Sequence, residues 1–125
     1  FQKRTGLNVH WETVLETADV SRDRATAVFR IFQEVLTNVL RHSRASNIYV
    51  KLEQLDNYLE LEVVDDGRGI TEDEQRNTQS LGILGMKERA LLVGGEVRIN
   101  GTAGKGTTVI VTVPLSDESK SEAVA

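Results

Sequence analysis

The spacing of apolar positions changes several times along the chain, and each change marks an element. Residues 8 to 15 (Asn-Val-His-Trp-Glu-Thr-Val-Leu) alternate well enough to predict a first strand. From Ser21 the period lengthens: Ala25, Val28, Phe29, Phe32, Val35, Leu36, Val39 and Leu40 recur at steps of three and four. That spacing predicts a helix through about Arg41 with a single apolar stripe facing the core. Strand-like runs return at 47 to 54 and 57 to 65, around the turn dipeptide Asp56-Asn57. In the second run Leu59, Leu61 and Val63 alternate with Glu60 and Glu62, so one side is expected to be wet. The polar stretch from Asp66 to Ser80 has little to bury and reads as a mobile loop. Gly82 to Val93 predicts a second helix ended by Gly94-Gly95, since glycine tolerates the left-handed cap. Val97 to Asn100 and Thr107 to Val113 form a last hairpin that Pro114 terminates, and the small, charged tail 116 to 125 is expected to be disordered.

With 125 residues, 39% of them hydrophobic and 27% charged, the chain has the makings of one globular domain, burying roughly two-thirds of its unfolded surface. It has no run of about 18 apolar residues, so the piece is expected to be soluble and to make no membrane contact. Its 15 basic and 19 acidic residues give a net charge of -4, the wrong sign for a phosphate-backbone binder, so nucleic acid is not an expected partner. No leader pattern is visible, and the lack of cysteine removes disulfide frameworks and thiolate metal sites, which fits a cytoplasmic setting. Met86 is the only methionine, and a chain opening on Phe1 is expected to be part of a longer protein.

On the long helix, a step of about 100° per residue puts Glu34, Asn38, Arg41 and His42 in one narrow sector, roughly opposite the apolar stripe. A polar sector is ordinarily a solvated face. Asn38 departs from that, because asparagine is a poor mid-helix residue and its amide oxygen is a hard ligand suited to magnesium. Glu34, one turn earlier, could position a water, a hydroxyl or an imidazole, or hold a metal-bound water. His42 joins the candidate nucleotide contacts, against the plainer role of complementing the helix dipole. His10 is given no role.

Asp65-Asp66-Gly67-Arg68-Gly69-Ile70 follows an apolar strand, and its glycines let backbone pass close to a ligand. A carboxylate at such a strand end can accept a hydrogen bond from the exocyclic amine of adenine, which guanine does not present in that position. Asp65 is therefore the candidate base reader. An ordinary Asp-Gly turn is the competing reading, while a calcium loop lacks its alternating acidic ligands and closing glutamate. Gly82 and Gly85 open the second helix directly after the polar loop, where unpaired backbone donors favour phosphate, with Lys87 and Arg89 nearby in sequence. The loop would then act as a lid over the triphosphate. Gly104-Lys105-Gly106-Thr107-Thr108 is not a P-loop, because the Gly-Lys-Ser/Thr order fails and the β-branched run after it is a strand. A dinucleotide fingerprint fails too, for want of a strand running into a Gly-x-Gly-x-x-Gly helix start. The segment is better read as a tight hairpin turn, with the Thr107 hydroxyl available near the base.

Taken in order, Glu-x-x-x-Asn on a helix, Asp-x-Gly-x-Gly, Gly-x-x-Gly-Met and Gly-x-Gly-Thr resemble the ATP-binding catalytic domain of bacterial sensor histidine kinases over about residues 5 to 115. The runs Phe32 to His42 and Leu81 to Ala90 are similar to the nitrate-sensor-like subfamily. The resemblance implies an α+β fold, a two-layer α/β sandwich of the Bergerat type, with a mixed, mostly antiparallel sheet and helices on one face. It implies residues 1–115 as the catalytic domain and 116–125 as a tail. It also implies that Asn38 holds magnesium bridging the ATP phosphates, that Asp65 reads adenine, and that Gly67 and Gly69 shape the base pocket. Gly82 and Gly85 would border the lid and Thr107 would support adenine through water, with Ile70, Ile83, Leu84 and Met86 completing the nucleotide contacts. The γ-phosphoryl group would pass to a histidine on a dimerisation helix absent from this chain, then to an aspartate of a response regulator. The second glycine box reads Gly-x-x-Gly where many relatives carry Gly-x-Gly-x-Gly. This piece is expected to be a monomer of a homodimeric parent and to phosphorylate itself poorly or not at all.

Two further readings carry different tests. An anti-sigma-factor-type serine kinase would phosphorylate a small protein on serine with no histidine hairpin. A catalytically silent, nucleotide-responsive interaction module would bind without turnover.

Overall fold

The computed structural model describes residues 8–14, 20–69, 82–102 and 104–115. The first strand, β1 (Asn8–Val14), leads to helix α1 (Arg22–Asn38), which Ser21 caps by accepting the Arg24 backbone N–H at 3.4 Å. A π-helical turn, Val39–Ser43, prolongs the helix and ends at Arg44 in the left-handed region (φ 56°). Two strands follow, β2 (Asn47–Leu55) and β3 (Tyr58–Asp65), joined by a tight turn in which Asp56 takes φ 53°. Helix α2 (Ile83–Leu92) comes next, then β4 (Glu96–Thr102) and β5 (Gly106–Pro114).

These strands make one sheet in the order β1-β2-β3-β5-β4, with β1 parallel to β2 and every other pairing antiparallel. Every second residue of the strands points into a common core: Ile48 and Val50, then Leu59, Leu61 and Val63, then Val97 and Ile99, then Val109, Val111 and Val113. Both helices cover that same face, α1 through Val28, Ile31 and Val35 and α2 through Ile83, Met86 and Ala90. The expected two-layer sandwich is what forms. The second helix, both hairpins and the wet face of Glu60 and Glu62 are in place.

Three expectations need correction. The apolar positions of α1 are two rows, not one stripe. Ala27, Val28, Ile31, Val35 and Val39 are buried, whereas Ala25, Phe29 and Leu40 are exposed. Positions 25, 29, 32, 36 and 40 form a row turned by about 100° from the buried one, so they flank the core instead of entering it. Phe32 in this row meets Trp11 of β1 edge-on, with ring centroids 5.3 Å apart.

Second, Glu34 and Asn38 are half-buried beside the core row, not opposite it. The sector also stops there, because the π-helical turn after Asn38 bonds i to i+5 and breaks the rotation that would have carried Arg41 onward. Third, Pro114 is itself the last residue of its strand and not the first beyond it. It pairs with Tyr58 at the end of β5, past the last pair with β4 at Thr112, where its missing N–H has no ladder partner to fail. The expected lid, with Ile70 in it, and the expected tail 116–125 lie outside the described residues, as does the side chain of His42.

Candidate functional site

Asp65 is the last residue of β3, in line with Leu59, Leu61 and Val63, so strand alternation itself turns its carboxylate to the buried side. Only 5% of the residue remains accessible. Its Oδ1 accepts the Gly67 N–H at 2.9 Å, which is possible because the chain leaves the sheet immediately after Asp66 and doubles back. Burial pushes the Asp65 carboxyl above its ordinary pKa of 3.8, helped by the neighbouring charge of Asp66, while the N–H groups of Gly67 and Thr107 pull the other way. Burial wins, leaving an aspartate poised to gain from a further hydrogen-bond donor.

The strand opposite supplies the floor. Thr107 of β5 lies directly across from Asp65 and is itself buried. Gly106 before it takes φ 103°, and a Cβ there would collide with the Asp65 carbonyl oxygen. A glycine is thus required for the two strands to approach at this point. The turn between β4 and β5 is tied to the loop after β3 by Gly104 N–H, which donates to the Arg68 carbonyl at 2.7 Å. Asp65, Gly67, Gly69 and Thr107, picked out from sequence, therefore converge at one end of the sheet.

A second group converges between the helices. A groove of about 330 Å³ is lined by Arg30, Gln33, Glu34 and Thr37 of α1 and by Gly82, Gly85, Met86 and Arg89 at the start of α2. Gly82 caps α2 at φ 66°, and a Cβ there would run into the Glu34 carboxylate. Glu34 is held against the opening of α2, as far as the candidate residues required. Ile83 and Met86 have their side chains in the core, at 0% and 2% exposure, so Ile83 can offer a ligand only its main chain. Leu84 and Gly85 are exposed. Among the described residues no cluster of three or more His, Cys, Asp or Glu could hold a metal. A donor set of one amide oxygen, Asn38, and one carboxylate, Glu34, suits an ion carried mainly by phosphates, as magnesium is on nucleotides.

Sequence reasoning missed Arg30, Gln33 and Thr37 on the groove wall, since nothing in their spacing distinguishes them from a solvated helix face. It also missed the partners of Asp66, whose Oδ1 accepts the backbone N–H groups of Ser46 and Asn47 at 2.8 and 2.9 Å and whose Oδ2 accepts Asn47 Nδ2 at 2.8 Å. The available signal was parity: with Asp65 on the buried side, the next acid must point elsewhere.

The family model for histidine kinase-, DNA gyrase B- and HSP90-like ATPases matches residues 23–117. The chain belongs to that family. As an ATPase domain it is 38% identical over 122 residues to the sensor histidine kinase LiaS of Bacillus subtilis (strain 168), a match covering 98% of this chain and 33% of that protein. It is 33% identical over 117 residues to the oxygen sensor histidine kinase NreB of Staphylococcus carnosus (strain TM300), covering 94% of this chain and 34% of the relative. The domain thus spans about a third of the length of these curated relatives. Among solved structures, the blue-light activated histidine kinase EL346 of Erythrobacter litoralis superposes with a TM-score of 0.78 at 30% identity, over 92% of this chain and 37% of that one. The catalytic domain of histidine kinase ThkA gives a TM-score of 0.76 at 18% identity, over 94% of this chain and 84% of that one, a likeness of fold. No helix among the described residues is long and apolar enough to cross a membrane.

Proposed function

We propose that this ATPase domain, residues 1–115, is the catalytic part of a sensor histidine kinase, and that its parent transfers the γ-phosphoryl group of ATP to a histidine outside this chain. The observation that carries the reading is the buried Asp65 carboxylate, raised in pKa and flanked by Gly67 and Thr107 at an open sheet end. Asp65 accepts the exocyclic amine of adenine, Gly67 and Gly69 let the base approach the backbone, and Thr107 supports it through water. Asn38, half-buried at the end of α1, would hold magnesium through its amide oxygen, with Glu34 one turn behind it. Magnesium, when bound, neutralises charge developing on the phosphates during in-line transfer.

In the transfer the bond from the γ-phosphorus to the β,γ-bridging oxygen breaks and one to an imidazole nitrogen forms. ADP leaves with the bridging oxygen, and the imidazole proton passes to a base or to solvent. Glu34, beside Gly82 in the groove between the helices, orients the incoming imidazole or its proton acceptor. The acceptor histidine sits on the parent's own dimerisation helices, and the phosphoryl group moves on to an aspartate of a response regulator, in the cytoplasm. This domain alone is a monomer.

The test supplies a dimerisation hairpin in trans with labelled ATP. Acid-labile, base-stable label on the hairpin histidine is the expected result. Acid-stable label on a serine of a partner protein would replace this reading with a serine kinase, and nucleotide binding without transfer in the intact parent would replace it with a silent module.

A further inference from the structure

Asp66 has no contact with the proposed base pocket, yet it is the most heavily bonded exposed carboxylate at this end of the sheet among the described residues. Its three acceptor bonds, from Ser46 N–H, Asn47 N–H and Asn47 Nδ2, span only 2.8 to 2.9 Å. Its own backbone N–H donates to the Asn47 carbonyl at 3.2 Å. Together they bind the end of β3 to the beginning of β2, one residue past the last ladder pair, Ile48 with Asp65. These hydrogen bonds favour the ionised form and hold the Asp66 carboxyl below its ordinary 3.8.

The chain reaches one strand further. The Asn47 amide is oriented by Asp66, because its Nδ2 donates to the carboxylate and its Oδ1 must then face away. There Oδ1 meets His10 Nε2 of β1 at 3.1 Å, so Nε2 is the nitrogen that carries a proton. His10 in turn stacks on Tyr49 of β2, with centroids 4.6 Å apart and planes 14° from parallel. A relay of side chains therefore crosses three strands and ends beside Asp65.

We propose that Asp66, through Asn47, is the positioning residue for adenine recognition: it fixes the end of β3 so that the Asp65 carboxylate is presented to the base in one orientation. The inference rests on the reading of Asp65 as the adenine acceptor. Its physical basis is that Asp65 stands where β3 leaves the sheet, and its carboxylate accepts the Gly67 N–H from the loop side at 2.9 Å. The neighbouring clamp removes the freedom of that strand end to twist. Alignment matters because a hydrogen bond weakens steeply as its angle departs from linear.

The relay can be reversed chemically. Asp66→Asn keeps an oxygen for the two backbone N–H groups but sets its amide against the Asn47 amide, donor to donor. Asn47→Asp sets two carboxylates against each other. Combining the two exchanges amide and carboxylate and restores a complementary pair. ATP and GTP are titrated into the wild-type chain, both single variants and the double variant, at a temperature where each is folded by circular dichroism. Each single variant is expected to bind ATP about tenfold more weakly with a narrower preference over GTP, and the double variant to recover to within about twofold. Single variants that bind ATP as the wild type does, or lose only thermal stability, would overturn the positioning role while leaving the pocket intact. A double variant as weak as the singles would overturn it too. A folded wild type that binds no ATP would instead overturn the adenine reading, and with it the inference.

Discussion

Asp65 and Thr107 face each other across β3 and β5, both almost wholly buried, at 5% and 6% exposure, where the sheet opens towards the loops. Pairing a carboxylate with a hydroxyl residue at a buried strand end makes a polar spot in an otherwise apolar layer. For Asp65→Asn the account expects ATP affinity to fall by about 1–3 kcal/mol, the cost of a mismatched buried donor, or about 5- to 150-fold. Stability at neutral pH should hold or rise, since the amide carries no charge to desolvate. Calorimetry and thermal unfolding of the same variant check both halves.

Acid should separate binding from folding. The Asp65 carboxyl lies above 3.8 in the folded chain, so its ionised form costs stability above that raised value, and the cost is relieved as pH falls through it. The Asp66 carboxyl lies below 3.8, so its hydrogen bonds stabilise fully above 3.8 and are lost only as pH falls through the depressed value. On acidification ATP binding is expected to weaken first, as Asp65 takes up a proton and loses its charge-assisted acceptor. The fold gives way only later. Titrations paired with circular dichroism from about pH 7 to pH 4 read this out, and coincident loss of both would contradict it.

Two glycines of one turn make a controlled pair. Gly104 and Gly106 both have positive φ, 78° and 103°, but a Cβ on Gly104 meets nothing within 4 Å whereas one on Gly106 strikes the Asp65 carbonyl and comes 3.2 Å from the Asp66 Cα. Gly104→Ala should cost only the left-handed penalty, about 1–2 kcal/mol. Gly106→Ala should cost more than that and weaken ATP binding as well, because the backbone of the base reader must move. Denaturant unfolding of the two variants decides it.

Much of this was legible beforehand, and the failures have local causes. The strands announced themselves because burial on one face forces alternation, as at Leu59, Leu61, Val63 and Asp65. Glycines at 82 and 106 marked places where an added Cβ would strike a neighbouring segment, the Glu34 side chain at one and the Asp65 backbone at the other. What could not be read was the rotation of α1: Phe29 and Val28 are equally apolar, and only the sheet decides that Val28 is inside while Phe29 is 58% exposed. The π-helical turn after Asn38 has no sequence signature either, so the reach from Glu34 to Arg41 was projected on the wrong pitch. The links of Asp66 to Ser46 and Asn47 join residues about twenty apart and depend on strand register, which no local pattern encodes.

Asn38 offers a metal-dependent test. Because it lies half-buried beside the core row and not in it, Asn38→Ala should leave the fold intact while removing the extra affinity that magnesium gives to ATP. Binding curves with magnesium and with a chelator should coincide in the variant and differ in the wild type. A wild-type magnesium effect that survives in Asn38→Ala would remove that residue from the phosphate end.

The central claim is an adenine pocket built on Asp65, and the most direct measurement is calorimetric titration of Mg-ATP and Mg-GTP into the folded wild-type chain and into Asp65→Asn. The account predicts saturable ATP binding, no response to GTP, and ATP binding weakened about 5- to 150-fold in the variant. Equal binding of both nucleotides, or ATP binding unchanged by Asp65→Asn, would contradict it.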